Sequence, residues 1–140
     1  MADMLSDHDA IRQLLARYTY NGDRGRLADL AACFAPDGIL EYPGAQATGP
    51  QGIARQLGGG TPNAARTFVR HHITAPLIDL ADATATVRSY FLVVSNTGPD
   101  HSGTYDDRVV RTALGWRFAH RRVRIDWQAA TSLWPRMASR

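Results

Sequence analysis

The feature that most constrains this chain is a change of hydrophobic period at Gly58-Gly59-Gly60. Before it, apolar residues recur every three or four positions, which buries one stripe of a helix. After it come long runs rich in Thr, Val, Tyr and Phe, with the alternation that buries one face of a strand. Helices first and an antiparallel meander afterwards make an α+β domain. Long strands with helices on one side imply a strongly curved, mainly antiparallel sheet. It forms a conical half-barrel around an apolar cavity, closed by about three amino-terminal helices.

The elements follow from local signals. Ser6 with Asp9 resembles a capping box, and Ile11, Leu14, Leu15 and Tyr18 then form one apolar stripe. Asn21-Gly22 suits a helix exit. A second helix is expected over 26–33, with Leu27, Leu30 and Ala31, and then Phe34, turned inward. Pro36-Asp37-Gly38 reads as a turn and 39–42 as a short strand. Gly49-Pro50 opens a third helix carrying Ile53 and Leu57, with proline in its first turn. Strands are expected over 66–80 (bent near Pro76), 84–96, 103–112 and 116–127, with turns at 82–83, 97–100 and 113–115. No linker or repeat divides the 140 residues, so a single domain is expected over 1–140.

Composition narrows the function. Hydrophobic residues make up 44% and charged residues 21%, as in ordinary globular chains. No apolar run approaches the roughly 18 residues of a membrane span. The acidic start, Met1-Ala2-Asp3, does not resemble a secretion signal. A cytoplasmic protein without membrane association is expected. Cys33 is the sole cysteine, which rules out an intrachain disulfide and a cysteine-based metal site. All 16 basic residues are arginine, and the formal net charge is +3. They are scattered, apart from a cluster over 117–124 that alternates along an expected strand. A nucleic-acid surface needs a coherent basic face, so nucleic acid is not an expected partner. His8, His71, His72, His101 and His120 lack metal-ligand spacing, and no phosphate-binding loop or nucleophile elbow appears. The expectation is a site with no metal and no cofactor.

Chemistry enters at Val69-Arg70-His71-His72-Ile73. In strand alternation, Val69, His71, Ile73, Ala75 and Leu77 form a largely apolar row that should face the interior. Phe68, Arg70, His72, Thr74 and Pro76 form the outer row. His71 is therefore the inward histidine. Parity leaves two roles open, a hydrogen-bonded core residue or a proton acceptor.

Taken in order, several motifs resemble the SnoaL-like branch of the nuclear-transport-factor-2-like superfamily. They are Arg17-Tyr18 with Asp23, Phe34-Ala35-Pro36-Asp37-Gly38, Gly49-Pro50-Gln51-Gly52-Ile53, His71-His72-Ile73-Thr74 and Gly115-Trp116-Arg117-Phe118. The resemblance spans essentially the whole chain and is more specific for fold than for reaction. In related lyases a histidine three positions before a Thr or Ser is the general base, which implies that role for His71, three before Thr74. Ala75 stands where the family often has Asn, which puts a secondary hydrogen bond in doubt. The resemblance pairs the base with an aspartate at the place of Asp23, a residue whose local sequence by itself favours capping the second helix. It implies that Tyr18, otherwise a core residue, polarises a carbonyl or assists a leaving group. It places a cavity arginine at Arg121, where a surface or interface salt bridge is the alternative and parity is ambiguous. Tyr105, Tyr90, Leu14, Val69 and Ile73 are candidate cavity liners.

These readings imply a cofactor-independent lyase or isomerase for a small apolar carbonyl compound such as a polyketide or steroid. Dehydration, double-bond migration and aldol-type cyclisation share its first step. The alternative is a non-catalytic ligand binder, or a structural subunit like the small subunit of ring-hydroxylating dioxygenases. Phe68, Trp127 and Trp134 are candidates for a homo-oligomer interface, in a dimer or a trimer.

Overall fold

The computed structural model describes residues 4–138; Met1-Ala2-Asp3, part of the acidic start, lies outside them. Three helices and six strands of one sheet follow in the order α1 (Met4–Asp23), α2 (Leu27–Ala31), β1 (Phe34–Tyr42), β2 (Ala45–Thr48), α3 (Gly49–Gly58), β3 (Val69–Ala81), β4 (Thr84–Ser95), β5 (Gly98–Thr112) and β6 (Gly115–Gln128). Strand order is β2-β1-β6-β5-β4-β3. The meander β3 to β6 is antiparallel, whereas β1 runs parallel to β6 and pairs antiparallel with β2. The α+β architecture stands, a curled sheet that does not close on itself.

Several boundaries differ from expectation. Helix α1 begins at Met4, so Ser6 lies inside its first turn rather than at the cap. Helix α2 is only five residues long, and Arg26 precedes it without a side-chain cap. Pro36-Asp37-Gly38 is not a free turn: it lies within β1, where the pairing with β6 shifts between Phe34 and Ile39. Strand β2 was not foreseen, because four residues are too short for periodicity to register. Strand β5 starts at Gly98, which places the expected 97–100 turn largely inside it.

The sheet curls because its strands carry extra residues. In β3 the register slips between Thr74 and Leu77, and Ala75 takes a φ of 49°. Such a bulge bends the strand and breaks its alternation. Val69, His71 and Ile73 face inward as expected, but Ala75 and Leu77 turn out, and Pro76, Ile78 and Leu80 take the inner row. In β5, Val93 pairs with His101 and Val94 with Pro99, leaving Asp100 as the extra residue. In β6, Phe118 pairs with Val109 and His120 with Arg108, leaving Ala119 extra. Gly103 sits at another slip, where a Cβ would overlap the Arg124 carbonyl oxygen. Only glycine allows the two strands to approach so closely there.

The apolar interior has two parts. One packs Ile11, Leu14, Leu15, Leu30 and Ile53 of the helices against Leu40, Val87, Val109, Trp116 and Phe118 of the sheet. The other, Phe91, Val93, Tyr105 and Ile125, is joined by Val69, Ile73, Trp134 and Met137. The cavity lies beside this second group. Its mouth is bordered by the 60–66 loop and by 132–137, the segment after β6, as well as by α1 and α3.

Candidate active site

His71 and Asp23 meet. Asp23 is the last residue of α1, and its carboxylate points across to β3. His71 Nδ1 lies 2.6 Å from Asp23 Oδ1, and the His71 backbone N–H donates to Oδ2 at 3.0 Å and Oδ1 at 3.2 Å. Asp23 therefore joins helix to strand rather than capping α2. A carboxylate can only accept, so Nδ1 is the donor to Asp23 and Nε2 is the ring nitrogen left free of it. The ring lines a cavity of about 790 Å³, a size that suits a small organic ligand. His72, on the opposite face, is exposed.

A second histidine, unnoticed in the sequence except as a rejected metal ligand, lines the same cavity. His101 Nδ1 lies 2.7 Å from Asp100 Oδ1. Asp100 is fully buried and also accepts from Ser132 Oγ at 2.6 Å and the Leu133 N–H at 2.8 Å. Adjacent strand residues ordinarily face opposite ways; the β5 bulge turns both inward. Burial opposes the Asp100 charge, but the bonds from Ser132, His101 and Leu133 hold the carboxyl below its ordinary range. Burial pushes the His101 pKa down against the pull of Asp100, which favours the neutral ring.

Tyr18 and Tyr105 also line the cavity, with ring centroids 6.2 Å apart. Burial raises the pKa of both phenols, so they remain neutral hydrogen-bond donors at physiological pH.

Arg121 corrects both readings of it. It does not line the cavity, nor does it form a surface or interface bridge. It is completely buried, donating from Nε and Nη2 to Asp107 Oδ1 and Oδ2 at 2.8 and 2.9 Å. The Tyr105, Tyr18 and Phe118 rings surround its guanidinium at 3.8, 4.3 and 4.4 Å. Burial works against the arginine charge, but Asp107 more than offsets it, so the pKa rises above the ordinary value. Burial pushes the Asp107 carboxyl up and Arg121 opposes that. With two charged donors on its two oxygens, the carboxylate is the form this geometry requires.

Among the other expected liners, Tyr90 is corrected outright: it is 65% exposed on the outer sheet face. Leu14 packs between helix and sheet, away from the cavity. Val69 borders a smaller adjoining recess shared with Tyr18 and His71, and Ile73 packs behind the second core group. Trp134, expected at an outer interface, lies 5.0 Å from the His101 ring and lines the cavity. Among the described residues no His/Cys/Asp/Glu cluster could hold a metal, and no helix is long and apolar enough to cross a membrane.

Comparison with known proteins places this arrangement. A protein from Novosphingobium aromaticivorans, provisionally named a scytalone dehydratase, is 29% identical; the match covers 96% of this chain and 93% of that one, with a TM-score of 0.81. Rv3472 of Mycobacterium tuberculosis, a protein of unknown function, is 27% identical over 91% of this chain and 76% of its own, with a TM-score of 0.77. ActVI-ORFA of Streptomyces coelicolor shares the fold at 24% identity, covering 85% of this chain and 96% of that one, with a TM-score of 0.76. No curated protein matches. The SnoaL-like domain model matches residues 3–122. With that match over most of its length and the curled sheet behind it, the chain belongs to the SnoaL-like domain family of the nuclear-transport-factor-2-like superfamily.

Proposed function

We propose that the protein is a cofactor-independent lyase or isomerase in which His71 is the general base. One observation carries this reading: His71, its Nδ1 held 2.6 Å from Asp23, faces a cavity of about 790 Å³. Asp23 orients the ring and stabilises the imidazolium that forms. Nε2 removes a proton from carbon beside a substrate carbonyl, and the electron pair moves onto the carbonyl oxygen. Tyr18 and Tyr105 are the donors available to that oxyanion. In a dehydration the enolate then expels a β-hydroxyl, the double bond forms, and the His71 imidazolium returns its proton to make water. In an isomerisation the same proton returns at a more distant carbon. Neutral His101 accepts a hydrogen bond from a substrate hydroxyl. Arg121, spent on Asp107, supports the two tyrosines from behind.

The largely apolar lining, including Leu40, Leu57, Phe91, Val123 and Ile125, suits a compact apolar carbonyl compound of polyketide or steroid type. Two histidines facing one cavity, each backed by an aspartate, favour an enzyme over a purely structural subunit. The outer sheet face exposes Leu77 and Tyr90 (60% and 65%), which supports a homo-oligomer covering that face.

The test is solvent deuterium uptake across a panel of cyclic and polyketide-like ketones. His71→Ala should slow exchange by about 10²- to 10⁴-fold, the usual contribution of a positioned base. Equal exchange by both proteins would remove His71 from the role.

A further inference from the structure

Among the described residues the cavity lining holds one permanent charge. No aspartate or glutamate is among its residues, because Asp23 and Asp100 sit behind their histidines; Arg66 is the exception. Arg66 belongs to the segment between α3 and β3, at the cavity mouth. Its guanidinium lies 4.2 Å over the Trp134 ring, and Trp134 in turn packs edge-on to His101 at 5.0 Å. Among the described residues no carboxylate stands within ion-pair distance of Arg66, and what sets it apart from the other unpaired arginines is its place in the cavity lining, stacked on Trp134.

Stacking occupies the face of a guanidinium and leaves its edge donors free, in the planar fork that fits a carboxylate. The aromatic seat also limits the rotamer freedom that an arginine loses on binding. We propose that the substrate carries a carboxylate, bound by Arg66 at the mouth while its apolar body enters the cavity toward His71 and His101. This deepens the lyase or isomerase reading and rests on it, since it supplies the handle that orients the reacting carbon. A substrate with a charged end and an apolar body matches a cavity that is neutral within and cationic at its rim.

The experiment is calorimetric titration of the wild type, Arg66→Gln and Arg66→Lys with 1-naphthoate, its methyl ester and inorganic phosphate. A pH of 8 keeps an ordinary imidazole neutral. Wild type should bind naphthoate at least about tenfold more tightly than the ester, as one charge-assisted bond implies. Arg66→Gln should abolish that preference, and Arg66→Lys should retain part of it. Equal affinity of wild type for acid and ester would overturn the proposal, as would unchanged naphthoate binding in Arg66→Gln. Phosphate binding as tight as naphthoate would also overturn it, reducing Arg66 to an unselective anion site. The outcome is separable from the role of His71. His71→Ala should keep the acid-over-ester preference while losing deuterium exchange. Loss of the preference with exchange intact in wild type would sink the carboxylate alone.

Discussion

Asp107→Asn should be among the most damaging conservative changes in this protein. It keeps the shape of the side chain and removes only the charge, leaving the Arg121 guanidinium at 0% exposure among Tyr18, Tyr105 and Phe118. At an effective dielectric constant of about 20, two unit charges about 4 Å apart attract by about 4 kcal/mol. Breaking a buried pair by removing one partner typically costs about 3–5 kcal/mol, which agrees. Against a total stability of about 5–15 kcal/mol, that is a large share. With a urea slope of about 2 kcal/mol/M, the unfolding midpoint should fall by about 2 M, as read by Trp fluorescence. Asp107→Leu/Arg121→Met removes both charges and should return to within about 1 kcal/mol of wild type, since an apolar pair avoids the desolvation cost. A midpoint shift below about 0.5 M in Asp107→Asn would refute the argument. So would a double variant as unstable as the single one, because the loss would then not come from a stranded charge.

Two further outcomes follow from the same geometry. His101 has its folded pKa lowered from 6.5 by burial, so the folded protein resists a proton that the unfolded chain accepts. Its contribution is fully present above about pH 6.5 and is lost as pH falls through the folded value. Urea midpoints measured from pH 8 to pH 5 should therefore decline, and His101→Gln should flatten that slope; an unchanged slope would count against it. Asp100, also lowered, gives up its contribution only below the ordinary carboxylate range and does not affect this window. On the outer face, Leu77→Glu with Tyr90→Glu should convert an oligomer to monomers by light scattering; a monomeric wild type would dispose of the oligomer.

The inward direction of His71 was legible because Val69 to Ile73 alternate without interruption, and apolar neighbours on both sides declare the face. Its partner Asp23 was legible only through the family resemblance, since the local sequence by itself favoured a helix cap. Arg121 was ambiguous for a physical reason. The extra residue Ala119 swaps the inner row from Trp116 and Phe118 to Arg121, Val123 and Ile125, so apolar residues occupy both parities. The same kind of slip hid His101. Alternation forbids neighbours from sharing a face, and only the bulge at Asp100 lets the pair turn inward together.

Amino-acid order was thus sufficient for the class of architecture, because periodicity is a local property that each segment declares alone. It was sufficient too for the first catalytic candidate. The second histidine, the burial of Arg121 against Asp107, and the stacking of Arg66 on Trp134 came from the folded molecule. Each depends on strand register or on contacts between segments 14 to 68 residues apart in the chain, and a bulge shifts register without leaving any period for the sequence to show.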